Sequence, residues 1–471
     1  MSELRSSDLV AVREQLGREP TTPFSVVARC TGGHPLVIRN RPIDAQGDPF
    51  PTLYWLTCPE AVRVVSRVES HGAIAEFNEQ IGSDPASARD LAAAHAAYAR
   101  ERASLAGGME IHGGVAGTRT GVKCLHAHYA YHLAGGNDPA GAWTASQVEP
   151  IHPHAPGERV AAIDQGTNSI RLLVAEPLRH GDGTITAGEI ARDMTITRLG
   201  AGVDATGRLD PQALTRTIDA LARFCRRARA LGAHHIRVAA TSAVRDATNR
   251  DAFVDAAREH AGSDPEILDG SREAGLSFQG AVDGLADTRS DVSPPYAVLD
   301  IGGGSTELIL GDASPTASIS AQTGSVRLTE RYIRSDPPKP EEIRCMEVEV
   351  AEHLDVAART VPVAAADTLI AVGGTATTLK AMDLDLPRHD PDLLHRTQLR
   401  LDSVQALLAR LSGMTDAERA GLPFMAPGRG DVIVAGALIL LSVMRRFGFA
   451  QALVSETDIL DGLVLELLRA P

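Results

Sequence analysis

The sequence predicts an α/β protein built from two similar lobes facing each other across a cleft, preceded by a separate small α+β domain. Three stretches carry that prediction. Residues 296–310 run from apolar positions into Asp300, through Gly302, Gly303, Gly304, Ser305 and Thr306, and back through Glu307 into a second apolar run. Two apolar runs around a glycine-rich turn read as a pair of strands. Residues 160–174 repeat the plan, with Asp164, Gly166 and Ser169 at the offsets of Asp300, Gly302 and Ser305. A duplicated hairpin implies two lobes with facing loops. Residues 368–379 add a third glycine signal, Gly373-Gly374-Thr375, which reads as strand, tight turn and helix start.

The residue types in these loops suit phosphate. Glycine admits positive φ and close approach of a ligand, so several N–H groups can converge on one anion while Ser305 and Thr306 add hydroxyl donors. Asp300 and Glu307 stand at the two ends of the second loop, where phosphate alone would repel them. A bound divalent cation is therefore the expected third member. Read singly, each stretch is also a β-hairpin with a glycine-rich turn. The repetition is what favours anion binding.

At 471 residues the chain exceeds one hydrophobic core and should divide into two or three domains. Its formal net charge of −14 argues against a protein that holds nucleic acid through global charge. A polyanionic substrate is still compatible with it, given a local cationic cleft. The longest apolar run, residues 432–444, is shorter than the roughly 20 residues that span a bilayer and reads as a buried helix. The N-terminus lacks the apolar core of a secretory signal, and five cysteines describe no disulfide framework. The expected location is the cytoplasm, with neither a membrane nor a nucleic acid as partner.

In chain order, residues 1–136 form the first unit. Residues 24–30 and 36–39 read as short strands, and residues 91–105 as an alanine-rich helix with Asp90 as its cap. Cys30, Cys58 and Cys124 fall here with His126 and His128, a candidate Zn2+ site whose spacing matches no standard ligand pattern. Buried free cysteine is the plainer reading. Residues 137–158, rich in Pro, Gly and Ala, suit a linker. Lobe I is expected over 159–295 and lobe II over 296–471.

Within lobe I, residues 210–232 carry full helix punctuation: Asp210 as cap, Pro211 in the first turn and Gly232 as stop. Cys225 lies on the buried stripe, while Arg226, Arg227 and Arg229 read as a solvated face able to guide a polyanion. Residues 236–249 read as a strand entering a helix start, with Arg245 beside Asp246. After Gly270 another helix opens with Glu273 in its first turn, a placement the helix dipole favours by about 0.3–1 kcal/mol without any function. In lobe II, Gly324, Ser325 and Arg327 supply another glycine, hydroxyl and arginine combination, and Asp402 and Thr415 read as helix caps.

The two hairpins resemble the phosphate loops of the exopolyphosphatase and guanosine pentaphosphate phosphohydrolase family, a branch of the fold group of actin, sugar kinases and heat-shock ATPases. The resemblance runs from about residue 159 to the end. It is also carried by Ala240-Thr241-Ser242-Ala243-Val244-Arg245, by Gly270-Ser271-Arg272-Glu273-Ala274, by Gly324 to Arg327 and by Pro427 to Gly436. It implies an actin-like (ribonuclease H-like) fold, hydrolysis of a terminal phosphoanhydride, and Mg2+ near Asp300 and Glu307. Glu273 would ready the attacking water, with Asp300 beside the cation. Asp164, Gly166, Asn168, Ser169, Arg171, Arg245, Gly302, Gly303, Ser305, Thr306, Gly324, Ser325, Arg327, Gly373, Gly374 and Thr375 would bind phosphate. Where many members have Gly and Arg, this chain has Asp458 and Leu460, which removes a cation near the end of the fold.

In the first unit, Pro49-Phe50-Pro51-Thr52-Leu53-Tyr54-Trp55-Leu56 and residues 121–129 resemble an uncharacterised actinobacterial domain family without an assigned activity. The expected whole is a short, two-lobed enzyme with this unit fused ahead of it, acting on inorganic polyphosphate. Guanosine pentaphosphate is the alternative substrate for the same chemistry. An actin-like nucleotide-binding switch is the alternative of another class, and the Glu273 and Thr241-to-Arg245 segments argue against it. The family also implies a homodimer through the C-terminal helices.

Overall fold

Two sheets with the same opening plan organise the computed structural model from residue 159 onward. The structure describes residues 5–470 apart from 31–32, 45–46, 51, 108, 110, 149–158, 181–182 and 286–291. In lobe I, Val160–Gln165, Ser169–Arg179 and Ile185–Ile196 form an antiparallel meander, and His235–Ala240 and then Glu266–Ile267 add in parallel beyond Val160–Gln165. In lobe II, Tyr296–Ile301, Thr306–Gly311 and Pro315–Ala321 repeat the meander. Thr368–Val372 and Gln451–Ser455 continue that sheet in parallel, and Thr397–Arg400 closes its edge. Central strands covered on both faces must be apolar throughout, which is why their sequences show runs rather than alternation. The two-lobed α/β fold is the one expected.

Register places the chemistry. Asp164 lies opposite Arg171 in the first hairpin, and Asp300 opposite Glu307 in the second. Parallel pairing of Asp300 with Val372 then sets Gly373 and Gly374 beside the second loop. The helix Gly270–Asp283 starts as expected: Asp269 accepts a hydrogen bond from the Arg272 N–H at 2.8 Å, leaving Glu273 in the first turn. It crosses the helix Ile459–Arg469 at backbone contact. A Cβ on Gly280 would lie 1.8 Å from the Asp458 carbonyl oxygen, and one on Gly462 would lie 2.1 Å from that of Leu276.

The helix Pro211–Ala230 has its expected cap, Asp210 accepting from the Ala213 N–H at 2.8 Å, and Cys225 is buried. Of its three arginines, Arg226 and Arg229 are exposed as expected and Arg227 is not. Arg227 is 1% exposed and pairs with Asp193 at 2.7 Å, while Gly135 packs against its Cβ and accepts a hydrogen bond from Arg226. The N-terminal unit sits on this helix, and one apolar core runs from Tyr54, Tyr98 and Leu125 into Ile163 and Phe224. Amphipathic periodicity identified the helix but carried no sign that part of its polar side was also covered.

That N-terminal unit is a three-stranded antiparallel sheet, Phe24–Arg29, Pro35–Asn40 and Tyr54–Leu56, with helices packed against it. The helix expected from residue 91 begins at Pro85, and Asp84 rather than Asp90 caps it, accepting from the Ala86 and Ser87 N–H groups. The expected linker 137–158 is corrected over its first half. Pro139–Val148 is a helix that buries Ala140, Thr144 and Val148, and residues 149–158 lie outside the described residues. Asp402 falls within the helix Leu401–Ser412, whereas Thr415 does cap its helix. The run 432–444 forms most of the buried helix Ile433–Phe447. Among the described residues no helix is long and apolar enough to cross a membrane.

Candidate active site

The three glycine turns converge on one cleft between the lobes. Asp164, Gly166, Asn168, Ser169 and Arg171 line it from lobe I, and Glu273 from the first turn of its helix. Asp300, Gly302, Gly303, Ser305, Glu307, Ser325, Gly373, Gly374 and Thr375 line it from lobe II. Four expected phosphate ligands are absent from this wall: Arg245, Thr306, Gly324 and Arg327. Thr306 is buried and donates to the Thr323 carbonyl at 2.6 Å. Gly324 backs the loop, where a Cβ would meet the Gly303 carbonyl oxygen at 2.5 Å.

The glycines do not act as expected either. Positive φ is found at Gly373 but not at Gly166, Gly302, Gly303 or Gly304. What the second loop requires is the absence of a side chain. A Cβ on Gly303 would lie 2.9 Å from the Cβ of Thr167, and one on Gly304 2.5 Å from the Ser242 hydroxyl. Thr167 and Ser242, themselves joined at 2.8 Å, are thus the seat on lobe I into which the lobe II loop presses.

The three arginines expected at phosphate are engaged by carboxylates. Arg171 donates through Nε and Nη2 to Asp164 Oδ2 at 3.1 and 2.7 Å, and through Nη1 to Asp458. Those two acids, outweighing the cost of burial, hold its pKa far above the ordinary arginine value. Arg245 donates to Glu273 at 3.3 Å and to the Leu268 carbonyl at 3.0 Å. Arg327 donates to the Gly304 carbonyl at 2.8 Å and pairs with Asp204 and with Asp246, tying the lobe II loop to lobe I. The Asp164 pairing lies within one hairpin, whereas Asp458, Glu273, Asp204 and Asp246 reach these arginines from other segments that spacing does not connect. Asp458 is an addition to the site rather than only the loss of a family glycine.

The acids define the electrostatics. Burial, and then the charge of Asp458, push Asp300 up to about 6 against a 2.7 Å hydrogen bond from Ser277. Burial, and then Asp300, push Glu307 up to about 7 despite hydrogen bonds from Ser320 and Ser305. Glu273 is raised well above the ordinary carboxyl range by burial and by Glu307, with Arg245 opposing. Burial also raises Asp164, which Arg171 counters, and Asp164 Oδ1 is buried without a hydrogen-bond partner. Like charges directly opposite on a strand pair are unfavourable, so this donor set fits a divalent cation bound by oxygen. Sequence reasoning overlooked Ser277, Thr167 and Arg429. Arg429 lies in the segment Pro427 to Gly436 and donates from the cleft wall to the Gly374 carbonyl and Thr378 hydroxyl, both at 3.0 Å.

The pH dependence follows in sign. The folded protein keeps protons on Asp300 and Glu307 that the unfolded chain releases near pH 4. Without divalent cation, stability should therefore fall as pH rises from about 4 to about 7. Thermal midpoints in chelator should drop over that window, and Mg2+ should restore them at the alkaline end while changing little at the acid end.

The five residues of the candidate N-terminal Zn2+ site do not come together. Cys58 hydrogen-bonds with Cys30, and Cys30 lies 3.9 Å from His34. His128 is buried against Asp138 at 2.7 Å. Cys124 and His126 adjoin each other, with Glu69 as the third donor.

Paired hairpins, a cleft between matched sheets and acids opposed across a glycine turn define an actin-like phosphoryl-handling enzyme. The chain belongs to the Ppx/GppA phosphatase family, whose model matches residues 178–470. A second model, described as a protein of unknown function (DUF501), matches residues 26–146. Exopolyphosphatase 2 of Mycobacterium tuberculosis is 43% identical over 321 residues, 66% of this chain and 98% of that protein. The crystal structure of an exopolyphosphatase-like protein aligns at a TM-score of 0.62 with 36% identity, covering 66% of this chain and 99% of its own. A Ppx/GppA protein from Aquifex aeolicus aligns at 0.56 with 27% identity, covering 66% and 97%.

Proposed function

We propose that the cleft hydrolyses the terminal phosphoanhydride of inorganic polyphosphate and releases phosphate. The observation that carries this reading is the facing pair Asp300 and Glu307, with Glu273 beside them in the same cleft. Uncompensated, three buried acids would oppose folding. With a cation and a phosphate chain between them they become a site.

The loop N–H groups, with Ser169, Ser305 and Asn168, hold the terminal phosphate. Asp300 and Glu307 would hold Mg2+, with Asp164 Oδ1 free to join, and the bound cation would neutralise charge on the reacting oxygens. Glu273 accepts the proton of the attacking water as its oxygen bonds to the terminal phosphorus and the anhydride P–O bond breaks. Burial raises this carboxyl, which makes it a stronger base once ionised. Arg245, at 3.3 Å, orients Glu273 and opposes the rise of its pKa. Five free cysteines fit a reducing compartment, hence the cytoplasm.

Arg226 and Arg229 are exposed but do not line the cleft, so their charge does not by itself speak for a long polyanion. The relative's name and its near-complete coverage support polyphosphate. Phosphate release should be compared on long polyphosphate, short polyphosphate and guanosine pentaphosphate at equal terminal-phosphate concentration. Polyphosphate should be the preferred substrate. Preference for the nucleotide would reassign the site to guanosine pentaphosphate hydrolysis, and nucleotide binding without turnover would make the protein a switch.

A further inference from the structure

We propose that Glu69, Cys124 and His126 form a binding site for a single borderline-soft divalent ion of the Zn2+ class in the N-terminal unit. Their ligand atoms lie within 4.8 Å of one another, and each residue stands on a well-formed element. Glu69 ends the helix Pro59–Ser70, while Cys124 is the N-cap of the helix Leu125–Leu133 and His126 lies in its first turn.

The orientation of His126 makes this a chelate rather than a chance cluster. Its Nε2 lies 3.2 Å from the Val62 carbonyl oxygen, which only accepts, and 3.1 Å from the Ser66 hydroxyl, which can accept; the tautomer that satisfies both carries its hydrogen on Nε2 and, when the ring is neutral, presents a lone pair at Nδ1. Nδ1 is the atom that faces both other donors, Cys124 Sγ at 3.8 Å and Glu69 Oε1 at 3.2 Å. A catalytic cysteine triad would place thiol and carboxylate on opposite ring nitrogens. Here they share one, with a backbone carbonyl behind the ring as at metal-bound histidines.

The distances also agree. Bonds of about 2.0–2.3 Å at tetrahedral angles place donor atoms roughly 3.3–3.6 Å apart, so the two contacts at Nδ1 need to shift by only a few tenths of an ångström. Glu69 is further fixed by the Leu125 N–H at 2.6 Å. One thiolate, one imidazole and one carboxylate favour Zn2+ or Co2+ over Mg2+. The Glu69 and His126 side chains are 24% and 21% exposed, so a fourth position can be taken by water or an outside ligand. Uptake releases the thiol proton. The hard, all-oxygen donor set of the cleft separates this site from the one proposed there.

The test uses the full chain stripped of metal by chelator and titrated with Co2+, whose thiolate charge-transfer absorption reports a Co–S bond. One equivalent should develop that band, and Zn2+ should displace it. Cys124→Ser should abolish the band, while Cys345→Ser, at an exposed cysteine, should keep it. Glu69→Gln, which conserves shape, should weaken Zn2+ by roughly 10- to 100-fold with unchanged circular dichroism. No thiolate band in the wild type, a band that survives Cys124→Ser, or full affinity in Glu69→Gln would overturn the site. Phosphate release is not a readout in any arm, so the result stands apart from the proposal for the cleft.

Discussion

Glu273→Gln should lower phosphate release from polyphosphate by roughly 10²- to 10⁴-fold, the range set by loss of a general base, with the protein folded as before. Glutamine keeps the shape of the side chain and can still accept from Arg245, now 3.3 Å from a carboxylate oxygen. What it cannot do is take a proton from water. Burial and Glu307 already hold Glu273 well above the ordinary carboxyl range. Its ionisation therefore counts against the fold as pH rises, and removing it should leave cation-free stability at neutral pH equal or higher. Activity and stability are thus expected to move apart. Normal phosphate release in a folded variant would take Glu273 out of the chemistry.

Gly280→Ala should be the most damaging single-methyl change in the catalytic helix, at or beyond the upper end of the about 1–3 kcal/mol typical of overpacking. The added Cβ would stand 1.8 Å from the Asp458 carbonyl oxygen and 2.9 Å from the Gly462 nitrogen, both backbone atoms that no rotamer change can clear. The helices Gly270–Asp283 and Ile459–Arg469 would have to part. Glu273 rides on the first turn of one and Asp458 caps the other, so the cleft should open with them. Gly275 supplies an internal control: a Cβ there meets nothing within 4 Å. Gly275→Ala should be neutral or stabilising by up to about 1 kcal/mol, since alanine is the better helix former. Chemical denaturation of the two variants checks the pair, and equal behaviour would refute the backbone contact.

Much of the site was readable because its parts lie close together in sequence. Asp300 and Glu307 belong to one hairpin, as do Asp164 and Arg171, and a turn of fixed length dictates that they face each other. The place of Glu273 in a first helical turn was readable from the glycine before it, and its role only from the family resemblance. What eluded local reading involved partners far away in the chain. Nothing near Arg171 in sequence shows that it also binds Asp458, 287 residues on. The pairs of Arg327 were hidden for the same reason, since Asp204 and Asp246 lie on the other lobe.

The glycines make the same point from another direction. Their presence in the second loop was plain, and local conformation seemed the reason. Contact is the actual one, because Thr167 and Ser242 occupy the space that side chains at 303 and 304 would need. In the N-terminal unit, the cysteines and histidines were noticed together but grouped wrongly, and Glu69 has no marker in sequence.

By itself the sequence determined the duplicated hairpin, several of the helices that follow it, and the acids that belong to its cleft. All of these are expressed within a few residues, through apolar runs, caps and turn length. Only the tertiary structure decided which arginines are spent on acids, which helix face lies under the N-terminal unit, and which three donors of that unit converge. Those outcomes depend on charges and surfaces brought together from distant segments, where burial strengthens some pairings and forbids others, and no local pattern records which partner will arrive.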